Sequence, residues 1–179
     1  VDYVTSTNSD IYRYSLDTKK TINLTKDNLG YDKYPAFSPS GHLSWLRMKT
    51  PGYEADKSDI MVKLGETDLN LTAHWDESVQ SFLWSKDARR IYFTAATDGT
   101  IQLFQVSLPK SLSASTKVDE LKIKQLTEGP FDVNGIVAEV DGKLIVTRNS
   151  MNSAREIYTY NIKDQSLQAL TSVNEEFYA

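Results

Sequence analysis

The chain has 179 residues, 40% of them hydrophobic, and a formal net charge of −4. Because acidic and basic residues are interspersed, no basic stripe is available for a phosphate backbone, and we expect no nucleic-acid partner. No apolar stretch approaches the roughly 20 residues of a membrane helix, and Val1-Asp2-Tyr3 does not begin a signal peptide, so neither feature is expected in this sequence. The absence of cysteine excludes disulfides, thiol catalysis and thiolate metal sites.

Two short motifs recur along the chain. The pair Leu-Thr occurs four times, at intervals of 47, 55 and 44 residues. Each pair follows a triplet made of an acidic or amide residue, an aliphatic residue, and an aromatic residue or Met. A period of tens of residues indicates a repeat architecture. The triplets are Asp10-Ile11-Tyr12, Asp59-Ile60-Met61, Gln102-Leu103-Phe104 and Glu156-Ile157-Tyr158, and the pairs are Leu24-Thr25, Leu71-Thr72, Leu126-Thr127 and Leu170-Thr171.

Between one Leu-Thr pair and the next triplet, the sequence predicts a β-hairpin. Each hairpin consists of two hydrophobic runs separated by a polar turn that contains Pro, Gly or Asp, which supply the backbone angles of tight turns. With the triplet and the pair as two further strands, each repeat offers four short strands in about 45 residues, the size of one propeller blade. The paired runs are 34–37 with 43–46, 82–84 with 91–94, and 136–138 with 144–146.

Helix is not expected, because no window has a sustained apolar stripe at helical spacing. The weakly amphipathic segment Ser111 to Lys124 is instead predicted to be a loop between the third and fourth strands of its blade. Trp45, Tyr92, Phe37 and Trp84 fall at repeat-equivalent strand positions, so we expect them to pack between adjacent blades rather than to stack on a sugar or a base.

The predicted fold is therefore all-β, built from propeller blades of four antiparallel strands. Residues 1–25 form an incomplete blade that includes a strand at Tyr3-Val4-Thr5, residues 26–72, 73–127 and 128–171 each form a blade, and residues 172–179 form the opening strand of a further blade. In one arrangement this last strand completes the first blade in a closed four-bladed ring. We favour part of a seven- or eight-bladed propeller, because four-bladed rings are at the small end of the range. Its open blade faces predict self-association.

The segment 45–57, which reads Trp-Leu-Arg-Met-Lys-Thr-Pro-Gly-Tyr-Glu-Ala-Asp-Lys, together with 84–87 and 91–96, resembles the propeller of the prolyl oligopeptidase family of serine peptidases. Within that family, these segments resemble most specifically the acylaminoacyl-peptidase and dipeptidyl-peptidase-five branch. In that family the propeller precedes an α/β-hydrolase domain whose nucleophile lies in a Gly-x-Ser-x-Gly motif. No such motif occurs here, and neither His42 nor His74 comes with a recognisable nucleophile.

The resemblance implies that this chain is a non-catalytic region that serves as lid and substrate filter. Its partners would be an α/β-hydrolase domain of the parent chain and peptide substrates, in a periplasmic or secreted peptidase. The alternative is a non-enzymatic propeller of the Tol type that scaffolds protein partners.

Candidate binding residues lie in the long loop from Lys49 to Asp59, because long loops on a rigid scaffold often carry binding groups. Glu54 and Asp56 are candidates to pair with the α-amino group of a peptide, and Tyr53 is a candidate aromatic wall. The alternative is a solvated loop whose acidic groups are balanced by nearby basic residues.

In the last blade, Arg148 and Arg155 are candidates to bind a substrate carbonyl or carboxylate, since the guanidinium offers a planar fork of donors. Residues of this kind also cap strand ends or face water, which is the alternative. No spacing typical of a metal site is present, and neither a metal nor another cofactor is expected.

Overall fold

The computed structural model describes residues 8–178, except for the side chain of Tyr178, so the strand predicted at Tyr3-Val4-Thr5 lies outside the described residues. The described residues form two compact units, unit 1 with residues 8–76 and 113–118, and unit 2 with residues 77–112 and 119–178. Both units consist of antiparallel β-sheets. Within this described part, helical structure is limited to a 3₁₀ turn at Val118–Glu120 and one α-helical turn, and no helix is long and apolar enough to cross a membrane.

Unit 1 contains a two-stranded sheet and a four-stranded sheet, each antiparallel. In the larger sheet the strands follow one another in sequence order, as expected for hairpins joined by tight turns. The two-stranded sheet is formed by β1 (Tyr12–Tyr14) and β2 (Thr21–Asn23), and the four-stranded sheet by β3 (Asp32–Phe37), β4 (Leu43–Arg47), β5 (Asp59–Leu64) and β6 (Thr67–Asn70).

Unit 2 contains two four-stranded antiparallel sheets, again with their strands in sequence order. The first is formed by β7 (Val79–Trp84), β8 (Arg90–Thr97), β9 (Thr100–Ser107) and β10 (Ile123–Gln125), and the second by β11 (Asp132–Val140), β12 (Lys143–Ser150), β13 (Ser153–Asn161) and β14 (Leu167–Ala169). The three predicted hairpins are confirmed as β3–β4, β7–β8 and β11–β12. The predicted loop separates β9 from β10, although its last two residues belong to β10.

The recurring Leu-Thr pair has a structural cause. In every sheet the hydroxyl oxygen of the threonine accepts a hydrogen bond from the backbone N–H of the aliphatic residue in the triplet. Because the threonine follows the last strand of its sheet and the triplet lies at or within the strand before it, each bond joins two neighbouring strands. The bonds run to Thr25 from Ile11 (3.0 Å), to Thr72 from Ile60 (3.1 Å), to Thr127 from Leu103 (2.9 Å) and to Thr171 from Ile157 (2.9 Å).

An asparagine two residues before the threonine extends this arrangement in unit 1. Asn70 donates to Asp59 at 2.9 Å and accepts from the backbone N–H of Thr72 at 3.0 Å. Asn23 makes the matching bonds to Asp10 and Thr25. Both amides serve to hold strand ends together.

The core of each unit is built from the triplets and the hairpin strands. In unit 1, Ile11, Trp45 and Met61 are buried together. In unit 2, Tyr92 and Leu103 from the first sheet pack with four residues of the second sheet, so the two sheets bury their faces against each other. Those four residues are Val133, Leu144, Val146 and Tyr160.

The packing predicted for Phe37 is wrong. Trp45, Tyr92 and Trp84 are buried as predicted, but 70% of Phe37 is exposed. Phe37 pairs with Leu43 next to the β3–β4 turn, and opposite residues in an antiparallel pair share a face. On that face Phe37 lines an open cleft of unit 1, so no packed neighbour covers its ring.

The segment predicted to form the opening strand of a further blade, residues 172–179, also differs from its prediction. Glu175–Tyr178 form a single helical turn, α1, rather than a strand. The preceding turn is held by Asn174, whose backbone N–H and side-chain amide both donate to Glu156, at 2.9 and 3.0 Å. The N–H of Phe177 then bonds to the carbonyl of Asn174. These local bonds satisfy groups that a strand would direct to a neighbouring strand.

Candidate functional site

The long loop between β4 and β5 is organised by Asp56. The carboxylate of Asp56 accepts hydrogen bonds from the backbone N–H groups of Lys49 (2.9 Å), Thr50 (2.6 Å) and Lys57 (2.9 Å). These bonds, of which the one from Thr50 is the strongest, hold the pKa of Asp56 below its ordinary value. The oxygens of Asp56 are therefore engaged by its own loop, and its predicted contact with substrate stays a prediction.

Glu54 is placed differently, at the exposed part of the same loop. Its carboxylate accepts a hydrogen bond from the hydroxyl of Tyr31 at 3.2 Å. The ammonium of Lys33 lies over the ring of Tyr31, 3.7 Å from its centroid, and the neighbouring Tyr53 is 56% exposed. We call Tyr31, Lys33, Tyr53 and Glu54 the Glu54 surface. It presents a carboxylate, an ammonium and two aromatic rings within unit 1.

The start of β3, which carries part of this surface, is anchored by a buried carboxylate. Asp32 is 2% exposed and accepts hydrogen bonds from the indole N–H of Trp45, from Nε of Arg47 at 2.8 Å and from the amide of Asn28 at 2.8 Å. Arg47 also pairs with Asp68 at 3.0 Å. A buried charge that is paired and hydrogen-bonded in this way fixes the geometry around it. This role of Asp32 was not predicted from the sequence, although its position before a hydrophobic run was a usable signal.

The loop before β3 approaches β4 closely. The backbone N–H of Met48 donates to the carbonyl of Tyr31 at 2.8 Å, and the amide of Asn28 donates to the carbonyl of Met48 at 3.0 Å. A Cβ on Gly30 would lie 2.2 Å from that carbonyl oxygen, so only glycine fits there. This contact holds Tyr31 against the β4–β5 loop.

Unit 1 also contains an open cleft of about 930 Å³, lined by residues of both sheets. Charged groups of both signs line it, so it favours neither an anion nor a cation. Among them Arg47 and Lys63 are both paired with Asp68. The charged lining residues are Arg13, Lys26, Asp27, Arg47, Lys49, Asp59, Lys63, Glu66 and Asp68.

The two arginine candidates lie in unit 2. The guanidinium of Arg148 lies over two aromatic rings, 4.1 Å from the centroid of Phe131 and 4.9 Å from that of Tyr158. This stacking supports a packing role for Arg148. Arg155 is exposed on β13. The substrate contacts predicted for both arginines stay predictions.

Other chemistry is sparse in residues 8–178. No group of three His, Asp or Glu side chains in this range is placed to hold a metal ion. Burial raises the pKa of Tyr92 and of Tyr160 to about 12, which keeps both phenols neutral in the core of unit 2.

Comparison with known sequences covers nearly the whole chain. Dipeptidyl-peptidase 5 from Porphyromonas gingivalis is 33% identical over 178 residues, which are 97% of this chain and 24% of the relative. The protein of the same name from Porphyromonas endodontalis is 33% identical over 98% of this chain and 24% of its own length. This chain is homologous to a segment of dipeptidyl-peptidase 5. It spans about a quarter of the length of these dipeptidyl-peptidase 5 relatives. No family model matches.

Solved structures similar to this chain confirm the predicted propeller fold. The β-propeller domain of the Trilobed protease from Pyrococcus furiosus matches with a TM-score of 0.63 at 18% identity, over 95% of this chain and 45% of that one. The acylaminoacyl peptidase from Pyrococcus horikoshii matches with 0.65 at 15% identity, over 94% and 23%. TolB from Acinetobacter baumannii matches with 0.63 at 15% identity, over 95% and 39%. At these identities the likeness concerns the fold alone.

Proposed function

We propose that this chain is the non-catalytic propeller region of a larger serine peptidase, in which it acts as lid and substrate filter for a hydrolase domain elsewhere in the parent protein. Homology along the whole chain to a quarter of dipeptidyl-peptidase 5 supports this proposal. The sequence contains no Gly-x-Ser-x-Gly motif, so the nucleophile of such an enzyme has to come from outside these residues.

The first experiment compares the isolated chain with the full parent protein on dipeptidyl and aminoacyl chromogenic substrates. We expect the parent to release dipeptides and the isolated chain to be inactive. A parent without peptidase activity would contradict the proposal and favour the Tol-type scaffold, whose propeller shares the fold. Activity of the purified isolated chain would show that catalysis lies within it.

Within this function, we assign to Glu54 the binding of the α-amino group of a peptide. Its carboxylate is exposed, and the hydrogen bond from Tyr31 holds it in place while leaving its other oxygen available. An ammonium-carboxylate hydrogen bond is among the strong ones, so its loss typically costs roughly tenfold or more in binding. Asp56 makes three bonds to its own loop, so its predicted contact with substrate is not part of this assignment.

This assignment is tested by Glu54→Gln in the parent protein. We expect kcat/KM to fall roughly tenfold for peptides with a free amino terminus and to change little for the same peptides after acetylation. Glu66→Gln, at the β5–β6 turn, is the matched control. An equal loss on free and acetylated peptides would reject the role of Glu54.

The blade faces at the two ends of the chain support the proposed self-association. The aliphatic residue of the triplet is buried in the first three sheets but 40% exposed at Ile157. The next residue is buried at Met61 and Phe104 but 59% exposed at Tyr12. Because Met61 packs with Ile11 in unit 1 and Leu103 packs against the second sheet in unit 2, these repeat positions fit a neighbouring blade. The Ile157 face of one copy therefore offers a surface to the Tyr12 face of a second copy. We also place the parent in the periplasm or outside the cell, which cell fractionation tests.

A further inference from the structure

Tyr34 has an unusual backbone. Its φ is 56°, a left-handed conformation that is uncommon for bulky residues. Among the described residues, Tyr34 is the one non-glycine residue with positive φ that lies inside a strand. The others lie in turns between strands: Lys19, Ala88, Asp98, Asp141 and Gln165.

A β-bulge accompanies this conformation. The pairing of β3 with β4 shifts between Lys33 and Ala36, which leaves one extra residue on β3. The first strands of the two sheets in unit 2 have a shift near the same position, at Gln80 and at Asn134. Bulges redirect side chains and are common next to active sites.

Packing does not explain the tyrosine at this position. Tyr34 is 67% exposed, and Pro35 restricts its backbone further. Glycine or asparagine would adopt the same conformation at less cost. Strained residues of this kind persist only where the surrounding structure holds them, and they cluster at active sites and ligand clamps.

We propose that Tyr34 is a substrate-contacting residue whose ring binds an aromatic side chain of the peptide. This inference rests on the proposed function and adds a second contact to the Glu54 surface. Tyr31, which bonds to Glu54, lies three residues before Tyr34. Their Cα atoms are therefore at most about 11 Å apart, within the reach of a short peptide. The exposed face of a tyrosine ring favours planar apolar groups over small ones.

The experiment uses the parent protein with Tyr34→Asn, which keeps the backbone conformation but removes the ring, and Tyr34→Phe, which keeps the ring. Tyr14→Asn, at a similarly exposed strand position, is the matched control. The probes are two hexapeptides with phenylalanine or alanine at the third position, each with an N-methylated scissile bond so that binding is measured without cleavage.

We expect Tyr34→Asn to weaken binding of the phenylalanine peptide about three- to tenfold, with the alanine peptide, Tyr34→Phe and Tyr14→Asn close to wild type. The melting temperature of Tyr34→Asn should stay equal or rise, because strain is relieved. Equal loss for both peptides, or no loss, overturns the inference. Ring-dependent binding in a parent that cleaves no peptide would instead reject the proposed function while the contact stands.

Discussion

Thr72 and Asp59 are joined by a hydrogen bond of 2.8 Å, in which the threonine hydroxyl donates to the carboxylate. The same hydroxyl oxygen accepts from the backbone N–H of Ile60. One buried side chain thus ties the segment after β6 to the start of β5. Equivalent hydroxyl bonds join Thr127 to Gln102 and Thr171 to Glu156. This relationship explains why Leu-Thr is the most regular signal in the sequence.

Thr72→Val should lower the free energy of unfolding by about 1–3 kcal/mol, because it leaves buried hydrogen-bonding groups without a partner. Valine has nearly the same shape, so packing changes little. Denaturant unfolding measures the loss. Thr18→Val, at an exposed turn position, is the control and should change stability by less than about 0.5 kcal/mol. Equal effects at both positions would contradict the structural role of Thr72.

Trp45→Ala and Phe37→Ala should differ strongly. Trp45 is fully buried and bonds to Asp32, so its truncation should cost about 3–5 kcal/mol. Because Phe37 is mostly exposed, its truncation should lower the free energy of unfolding by less than about 1 kcal/mol. Thermal unfolding of the two variants, compared side by side, tests this order. A large loss at Phe37 would mean that its ring is covered in solution.

Acid should weaken the end of the last sheet through Glu156. Hydrogen bonds from the hydroxyl of Thr171 and then from Asn174 hold the pKa of Glu156 below its ordinary value of 4.5. A depressed folded-state pKa gives stability that is present above the unfolded-state pKa and is lost as the pH falls through the folded-state value. Glu156→Gln should therefore flatten the decline in stability below about pH 4.5. Glu128→Gln, at an exposed position, should leave that decline unchanged.

Alkaline titration should reveal the two buried phenols of unit 2 as a late step. Burial raises the pKa of Tyr92 and of Tyr160 to about 12, so their neutral forms stabilise the fold below the unfolded-state pKa. That stability is lost as the pH rises from the unfolded value toward about 12. Phenolate absorbance should show a late step at about pH 12 for these two tyrosines. In Tyr92→Phe and Tyr160→Phe the late step should shrink by one phenol each.

Self-association of the isolated chain should depend on its two end faces. We expect Ile157→Glu and Tyr12→Glu each to suppress growth into larger species, because a charge in an apolar interface is costly. An equimolar mixture of the two variants should form heterodimers, since each keeps the face that the other has lost. Analytical ultracentrifugation distinguishes these states. If the wild type forms oligomers but the mixture of variants forms no heterodimers, the head-to-tail contact is contradicted.

The repeat was readable from the sequence because its signals are local. Leu-Thr and the triplets recur since one threonine has to meet one aliphatic N–H in every sheet. The hairpins were readable for a similar reason, because turn residues and hydrophobic runs act over a few positions. The order of strands in each sheet followed from these signals, and Trp45, Tyr92 and Trp84 were correctly placed in the core.

Only the tertiary structure decided what each polar or aromatic side chain does. Asp56 and Glu54 look alike in sequence, yet three backbone amides donate to Asp56 while the hydroxyl of Tyr31 donates to Glu54. Tyr34 drew no attention because its left-handed backbone comes from a bulge, which depends on pairing with β4. Periodicity fixes local conformation, whereas hydrogen-bond partners and exposure depend on residues far apart in the chain, and these only the folded coordinates bring together.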